Sequence, residues 1–314
     1  MSARGRGLAA VSRAAATSSP VFIVGEVRSG TSILYRILQR HPSFAPRALN
    51  LAESYAVIEL ARLDRFDGGL PTRLREFLLF DEDEERSFAA TVRPLHPWRH
   101  ISTGLAARTS AGSMLAWRAR LDPVVLRAYF HHAQRARACR RLVEKTPAHL
   151  PFTRHLQLGF PSARLLYVLR HPVDVLSSYW KREAFEPASA SWTNITVGRF
   201  CTQYHRRVTR ALAEAARDPD RFLIVRYERL ATEPEETVRE VCAFVGETFD
   251  AEMLGDDLGA GTSTADPHLY GSVVARTKDW RDFVGERDAV AVEDRLADLL
   301  AMVGYRRYTP VTQP

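Results

Sequence analysis

Apolar and polar positions near the N-terminus follow two different periods in quick succession. The run VFIV at residues 21–24 is short, continuous and β-rich, which predicts a buried strand. From residue 31 to residue 40, apolar side chains recur three or four positions apart, which predicts a helix. The pair His41-Pro42 ends that helix, because proline lacks an N–H donor and restricts the residue before it. The opening unit is therefore a strand, a glycine-containing turn and a helix.

The second half of the chain alternates between the same two patterns. Apolar, β-rich runs predict strands, and apolar side chains at helical spacing predict helices between them. The predicted strands cover residues 142–143, 164–169 and 221–227, and the predicted helices cover 151–158, a segment opening at 173–180, 235–244 and 288–303. Since no hairpin signal separates the strands, the pattern favours a three-layer α/β fold, with a central parallel β-sheet flanked by helices.

The pattern also divides the chain into regions. Residues 1–19 are rich in Ala, Ser and Arg, and we expect a disordered basic leader there, although an organellar transit peptide has a similar composition. Ordered structure is expected to begin at Pro20, and residues 20–314 are predicted to form a single domain. Within this domain, residues 50–140 are expected to be mostly helical.

Composition and charge narrow the class of protein. Of the 314 residues, 46% are hydrophobic and 26% are charged, as in an ordinary globular protein. The formal net charge of +7 suits an anionic ligand, nucleic acid or a membrane surface, and it does not choose among them. Three distant cysteines fit no metal-ligand spacing, so we expect reduced thiols in a cytoplasmic protein. No apolar run is long enough to predict a membrane span.

The turn after the first strand has the composition of a phosphate-binding loop. It has the sequence GEVRSGTS over residues 25–32. Glycines allow a tight turn, the N-terminus of the next helix presents free N–H groups, and three hydroxyl side chains add donors. In nucleoside triphosphatase loops a lysine stands at the position of Thr31, whereas here the cation is Arg28. Glu26 is unusual beside an anion: it either faces away or contacts an acceptor, and the sequence leaves both open.

A second candidate anion site follows the strand predicted at residues 164–169. The residue after that strand is Arg170, in a region where metal-dependent phosphoryl transfer commonly uses an acid to hold Mg²⁺. The next helix carries Ser178, and Arg182 follows one turn further, so these side chains are candidates to converge on one phosphate. The two sites together point away from ATP with Mg²⁺ and towards a nucleotide with phosphates in two places.

The chain resembles the PAPS-dependent sulfotransferases, where PAPS is 3′-phosphoadenosine 5′-phosphosulfate. The paired motifs are PVFIVGEVRSGTSILYRILQRHP and RLLYVLRHPVDVLSSYWKR, with further matches in VEKTPAHL, VRYERL, CAFVGETFD and RTKDWRDFV, from about residue 20 to residue 305. The resemblance implies a P-loop-like sulfotransferase fold and metal-independent, in-line transfer of a sulfonyl group. The acceptor would be a hydroxyl, or less favourably an amine, of a small molecule or glycan such as a carbohydrate, lipid or secondary metabolite. The product would be adenosine 3′,5′-bisphosphate.

The resemblance also implies roles for individual residues. The 5′-phosphosulfate would be held by Arg28, Ser29, Gly30, Thr31 and Ser32, and the 3′-phosphate by Arg170, Ser178 and Arg182; Tyr227 and Lys278 would complete the cofactor site. Many cytosolic members have Lys at the position of Arg28, whereas Golgi and many bacterial members have Arg, as do the membrane-anchored tyrosylprotein sulfotransferases. No anchor is apparent in this sequence.

The catalytic residues implied by the resemblance are Arg28, Lys145 and Glu53. Arg28 and Lys145 would stabilise negative charge on the bridging and leaving oxygens. Glu53 would be the general base, because several members with the Arg-type loop use a Glu that follows the first helix. No metal site is expected. The alternative bases are Glu144, His41 and His149.

Two other classes of function compete with this interpretation. A P-loop nucleotide kinase or nucleoside triphosphatase predicts a lysine at position 31 and an acid near position 170, and both are absent. A non-catalytic anion-binding module predicts clustered cations interleaved with aromatic residues, and the basic segment 127–141 has little such interleaving. We therefore expect no nucleic-acid partner. The sequence does not identify the acceptor, which stays open among carbohydrate, lipid, secondary metabolite and protein tyrosine, and it does not decide whether the chain forms a homodimer.

Overall fold

The centre of the fold is a parallel sheet. The computed structural model describes residues 19–44, 126–127, 130–131, 134, 139–185, 195–255 and 279–309. Within these ranges four strands form one sheet in the order β2-β1-β3-β4, and every neighbouring pair is parallel. The strands are β1 Val21–Gly25, β2 Val143–Lys145, β3 Arg164–Leu169 and β4 Phe222–Arg226. The predicted α/β fold with a central parallel sheet is confirmed.

Helices pack on both faces of this sheet. They are α1 Thr31–Gln39, α2 Thr153–Gly159, α3 Pro172–Phe185, α4 Val197–Arg217, α5 Tyr227–Thr232, α6 Pro234–Val245, α7 Glu286–Arg295 and α8 Ala297–Met302. Short 3₁₀ helices lie at Pro147–Phe152, Ala251–Leu254 and Trp280–Asp282. Among the residues that the structure describes, no helix combines the length and the apolar character needed to cross a membrane.

The side chains of β1 alternate between two hydrophobic cores. Phe22 and Val24 belong to a core shared with α3, α4, α7 and α8. Val21 and Ile23 belong to the opposite core, which is shared with α1 and α6. A parallel strand that is covered on both faces buries every side chain, which explains why VFIV is a continuous apolar run instead of an alternating one.

Two element boundaries differ from the sequence prediction. β4 ends at Arg226, because its pairing with β3 ends where Arg226 lies opposite Leu169, and Tyr227 begins helix α5 instead of ending a strand. The single helix predicted at 288–303 is two helices, because the backbone of Leu296 leaves helical geometry at φ −113° and ψ 15°. Neither glycine nor proline marks this break in the sequence.

The segment between β2 and β3 also differs from the prediction. β2 covers Val143–Lys145 instead of residues 142–143, which brings Lys145 into the sheet. The following 3₁₀ helix, Pro147–Phe152, contains a proline in its interior, and the α-helix begins only at Thr153. Proline favours this delay, because it cannot donate the backbone hydrogen bond that an α-helix needs at that position.

Helix α4 is absent from the sequence prediction, although its signal is present. Its buried residues recur mostly three or four positions apart, and the rest of the helix is strongly charged. These buried residues are Phe200, Cys201, Tyr204, Val208, Ala211 and Glu214. The apolar face packs into the same core as β1 and β3, so α4 supports the sheet directly behind the strands that end at the candidate site.

Replacing Thr196 by alanine should lower the free energy of unfolding by about 1 kcal/mol. The Thr196 hydroxyl oxygen accepts a hydrogen bond from the N–H of Arg199 at 3.3 Å, which satisfies one of the free donors at the start of α4. Urea denaturation measures the loss. Thr202→Ala is the matched control, because the Thr202 hydroxyl donates to the carbonyl of Gly198 within the same helix and alanine is the better helix former. Equal losses in both variants would show that the cap contributes nothing.

Candidate active site

The candidate site lies at the edge of the sheet where the carboxyl ends of the parallel strands meet. The strand order reverses at β1, since β2 lies on one side of it and β3 on the other. In open α/β sheets, ligands bind outside the carboxyl ends of the strands at such a switch point. The loop after Gly25 and the segment after Leu169 flank this point. These are the two segments that the sequence predicts to bind anions.

The loop after β1 has the backbone of an anion cradle. Arg28 (φ 70°) and Gly30 (φ 103°) both have left-handed backbone conformations. The N–H of Ser29 donates to the carbonyl of Glu26 at 3.1 Å, which closes the turn, and α1 begins at Thr31. The first N–H groups of a helix have no partner within it, and turns of this kind form anion-binding concavities. A left-handed arginine costs about 1–2 kcal/mol, and such strain is concentrated at functional sites.

Side chains from both segments meet across the switch point. The Nε of Arg28 donates to the Oγ of Ser178 at 3.1 Å, which joins the loop to α3. Arg170 contacts the same loop, since its Nη1 lies 3.4 Å from the carbonyl oxygen of Arg28. Two guanidinium groups and a helix N-terminus are therefore gathered in one place. Their like charges repel each other, so the arrangement favours a bound anion.

The ring of Tyr227 closes one side of this cluster. The guanidinium carbon of Arg170 lies 4.3 Å from the centroid of that ring, in cation–π contact. The same ring packs against Gly30, where an added Cβ would lie 2.3 Å from the Cδ2 of Tyr227. The close approach and the positive φ both require glycine at position 30.

Hydrogen bonds to side chains of two helices, α4 and α5, hold the backbone around Arg170. The hydroxyl of Tyr204, on α4, donates to the carbonyl of Arg170 at 2.5 Å. The N–H of His171 donates to a carboxylate oxygen of Glu228 at 2.8 Å, and Tyr305 donates to the other oxygen at 2.7 Å. Burial lowers the pKa of His171, which favours a neutral ring next to Arg170.

Lys145 lies at the end of β2, opposite Ile23 of β1. Its neighbour Glu144 is 1% exposed, and the carboxylate accepts a hydrogen bond from the hydroxyl of Thr146. The other carboxylate oxygen lies 3.3 Å from the Nδ1 of the fully buried His149. Because side chains alternate along a strand, this buried cluster anchors one face of β2, and half-buried Lys145 lies on the other.

Glu26 is held in the interior of the protein. It is 2% exposed, and one carboxylate oxygen accepts hydrogen bonds from the hydroxyl of Tyr179 at 2.9 Å and from the guanidinium of Arg207. The same oxygen accepts the N–H of Val27 at 3.0 Å. Of the two arrangements that the sequence leaves open, these contacts support the first, because the Glu26 carboxylate is directed into the buried interior.

The other predicted site residues have the following places. Thr31 and Ser32 form the first turn of α1, and Thr31 is buried. Arg182 is half-buried, one turn beyond Ser178 on α3. Glu53 and Lys278 lie outside the described residues.

A comparison with protein families agrees with this geometry. The model described as "Sulfotransferase family" matches residues 20–251, about three quarters of the chain. The chain belongs to the sulfotransferase family. The matched region includes the loop after β1, at residues 25–32, and the segment around Arg170, so the resemblance that rests on these two motifs is confirmed.

Curated relatives of this chain are sulfotransferases as well. Sulfotransferase 2A1 from Homo sapiens is 28% identical over an alignment of 120 residues, which covers 34% of this chain and 40% of that relative's length. The omega-hydroxy-beta-dihydromenaquinone-9 sulfotransferase Stf3 from Mycobacterium tuberculosis is 23% identical over an alignment of 317 residues. That alignment covers 93% of this chain and 76% of the relative.

Two solved sulfotransferase domains share the fold. The domain from the Synechococcus PCC 7002 olefin synthase has a TM-score of 0.57 and 18% identity, and the match covers 93% of this chain and 96% of the domain. The domain from the curacin biosynthetic pathway has a TM-score of 0.58 and 16% identity, with 92% and 98% covered. At these identities the likeness shows the sulfotransferase fold alone.

Four residues that support the candidate site are absent from the sequence prediction. They are Tyr179, Tyr204, Arg207 and Glu228. The period of α4 would have placed Tyr204 on a buried face, and Glu228 lies within the matched motif VRYERL. No local pattern indicates which residues they contact, because each partner lies on another element.

Proposed function

We propose that this protein transfers a sulfonyl group from PAPS to a hydroxyl group of a small-molecule or glycan acceptor. The observation that carries the proposal is the meeting of Arg28 and Ser178 beside Arg170, at the switch point of the sheet. A nucleotide with a 5′-phosphosulfate and a 3′-phosphate has anions in two places, which suits two cationic subsites side by side. Membership of the family supports sulfonyl transfer, and PAPS as the donor is part of the proposal.

Unsatisfied polar atoms in the cluster fit a ligand rich in acceptor oxygens. Among the described residues, the buried Oγ of Ser29 and the buried Nε of Arg170 have no hydrogen-bond partner. A buried donor without a partner costs about 1–3 kcal/mol, and phosphate oxygens are strong acceptors. The proposed phosphosulfate ligands are Arg28, Ser29, Gly30, Thr31 and Ser32; the proposed 3′-phosphate ligands are Arg170, Ser178 and Arg182, with Tyr227 and Lys278 completing the cofactor site.

The proposed contribution of the chain is positioning and charge stabilisation. When bound, PAPS supplies an activated sulfonyl group, whose bond to the leaving phosphate breaks as the acceptor oxygen bonds to sulfur. Arg28 and the N–H groups at the start of α1 stabilise the negative charge that collects on the leaving phosphate. Lys145, at the adjacent strand end, stabilises the charge on the bridging oxygen. These groups are prearranged, so little reorganisation is needed during the reaction.

The proton of the acceptor hydroxyl requires a base, and Glu53 is the proposed one. A positioned base contributes typically about 10²–10⁴-fold to the rate. The alternative Glu144 is buried in contact with His149, and both belong to the cluster that anchors β2. The ring of His41 contacts the carbonyl of Thr248 and the N–H of Ser43, which fits a structural role at the end of α1. These contacts support Glu53 over the alternatives.

The name of one relative supports a hydroxyl acceptor. The Mycobacterium tuberculosis protein Stf3 is named for an omega-hydroxy compound, and its alignment covers 93% of this chain. An amine is the less favoured acceptor for this chain.

Calorimetric titration with adenosine 3′,5′-bisphosphate tests the proposed donor site. We expect micromolar binding that is the same with EDTA as with Mg²⁺, and weaker binding of ATP. Radiolabelled PAPS, incubated with the protein and a panel of sugars, lipid alcohols and phenols, then tests sulfonyl transfer. Binding of ATP with Mg²⁺, combined with no binding of the bisphosphate, would contradict the proposal and favour a nucleotide kinase.

A further inference from the structure

The carboxylate of Glu26 lies at the centre of a buried polar cluster beneath the phosphate loop, the proposed phosphosulfate-binding segment at residues 25–32. One of its oxygens accepts three hydrogen bonds, from the N–H of Val27, the hydroxyl of Tyr179 and the guanidinium of Arg207. Glu26 is 2% exposed, and Arg207 is largely buried too. An acid is unexpected at the second position of a loop that binds anions, because its charge would repel the ligand. The ion pair with Arg207 offsets that charge.

The partners of Glu26 lie on the two helices that also support the second subsite. Tyr179, on α3, directly follows Ser178, whose hydroxyl accepts the hydrogen bond from Arg28. Arg207, on α4, lies one turn after Tyr204, whose hydroxyl binds the carbonyl of Arg170. Each helix therefore contacts the phosphate loop through Glu26. Each also supports the proposed 3′-phosphate subsite, α3 through the adjacent Ser178 and α4 through Tyr204, one turn away.

A bound nucleotide would compete with the contact between Arg28 and Ser178, whereas it would leave the contacts of Glu26 intact. Arg28 and Ser178 are themselves proposed to bind anions, so their mutual hydrogen bond competes with the ligand. Glu26 and Tyr179 are buried, so their hydrogen bond stays available when the site is loaded. Burial acts to lower the pKa of Arg207, but the charge of Glu26 and the hydrogen bonds with Glu26 and Tyr179 together outweigh burial and raise the pKa, which keeps the guanidinium charged.

We propose that Glu26 is a positioning residue that couples the two subsites and thereby makes this chain selective for nucleotides with both a 5′- and a 3′-phosphate. This inference rests on the proposed function. By holding the loop to α3 and α4, Glu26 keeps the two sets of anion ligands at the separation that one doubly phosphorylated nucleotide requires. Fixed spacing lets the second phosphate bind as part of the same ligand, at little further entropic cost.

The ratio of two affinities tests this coupling. Calorimetry would compare adenosine 3′,5′-bisphosphate with adenosine 5′-phosphate on the wild type, Glu26→Gln and Tyr179→Phe. We expect the preference for the bisphosphate to fall roughly tenfold in Glu26→Gln, and in the same direction by less in Tyr179→Phe, as is usual for residues that share one network. A merely structural defect would weaken both nucleotides equally and leave the ratio unchanged.

A control variant and a second test variant separate a specific loss of coupling from a general loss of structure. Glu214→Gln removes another buried glutamate from an ion pair on α4, with Arg217, and should leave the ratio unchanged. If Glu26→Gln fails to fold, Tyr179→Phe decides, since it removes a single hydroxyl. A wild-type preference that survives in the folded variants would overturn the coupling while leaving the proposed function intact. A wild type that binds neither nucleotide would overturn the proposed function, and the coupling with it.

Discussion

Replacing Arg170 by alanine should weaken the binding of adenosine 3′,5′-bisphosphate by about 10- to 100-fold and leave the binding of adenosine 5′-phosphate nearly unchanged. Hydrogen bonds to charged groups contribute about 1.5–3 kcal/mol, which corresponds to a loss of this size. The guanidinium of Arg170 is preorganised, because it lies over the ring of Tyr227 and its backbone carbonyl is held by Tyr204. Little of its binding free energy is therefore lost in ordering the side chain. Calorimetry with the two nucleotides measures both affinities.

Arg164→Ala is the matched control for this prediction. Arg164 begins the strand that Arg170 follows. The substitution therefore removes the same charge from the opposite end of β3. Its guanidinium lies over the ring of Phe244, far in sequence from the phosphate loop. Affinity for the bisphosphate should be nearly unaffected in this variant. If Arg170→Ala weakened both nucleotides equally, the assignment of Arg170 to the 3′-phosphate would be wrong.

Gly30→Ala should destabilise the protein by about 2–5 kcal/mol and abolish nucleotide binding. The backbone at position 30 has a φ of 103°, where a side chain introduces strain, and the new Cβ would lie 2.3 Å from the ring of Tyr227. Backbone strain of this kind costs about 1–2 kcal/mol, and overpacking adds about 1–3 kcal/mol. Relief of the clash requires Tyr227 to move, which would disturb its contact with Arg170. Thermal and urea unfolding measure the loss of stability, and calorimetry measures the loss of binding.

Two other glycines separate the causes of this effect. Gly246 has a φ of 80° with open space around a Cβ, so Gly246→Ala should show the backbone cost alone, about 1–2 kcal/mol. Gly198, in the first turn of α4, has open space and ordinary dihedral angles, so Gly198→Ala should be neutral or stabilising by up to about 1 kcal/mol. If Gly30→Ala lowered the free energy of unfolding by no more than Gly246→Ala does, the close contact with Tyr227 would contribute nothing to the loss of stability.

Much of the fold follows from local signals. The strand, loop and helix over residues 21–39 were predictable, because an apolar run, a glycine turn and a helical period lie next to one another in the chain. The strand at Arg164–Leu169 was predictable for the same reason. The break at Leu296 and the start of a helix at Tyr227 were not, since packing and strand pairing decide them and no turn residue marks them.

The sequence by itself determined that this protein has an α/β fold, and it predicted two segments that we propose bind anions, since turn chemistry and hydrophobic periods act between near neighbours in the chain. Only the tertiary structure decided that these segments share one site. Arg28 and Ser178 are 150 positions apart, and Glu26 and Arg207 are 181 apart. Such contacts depend on the order of the strands in the sheet and on which helix face is buried against it. No pattern within a single segment carries that information.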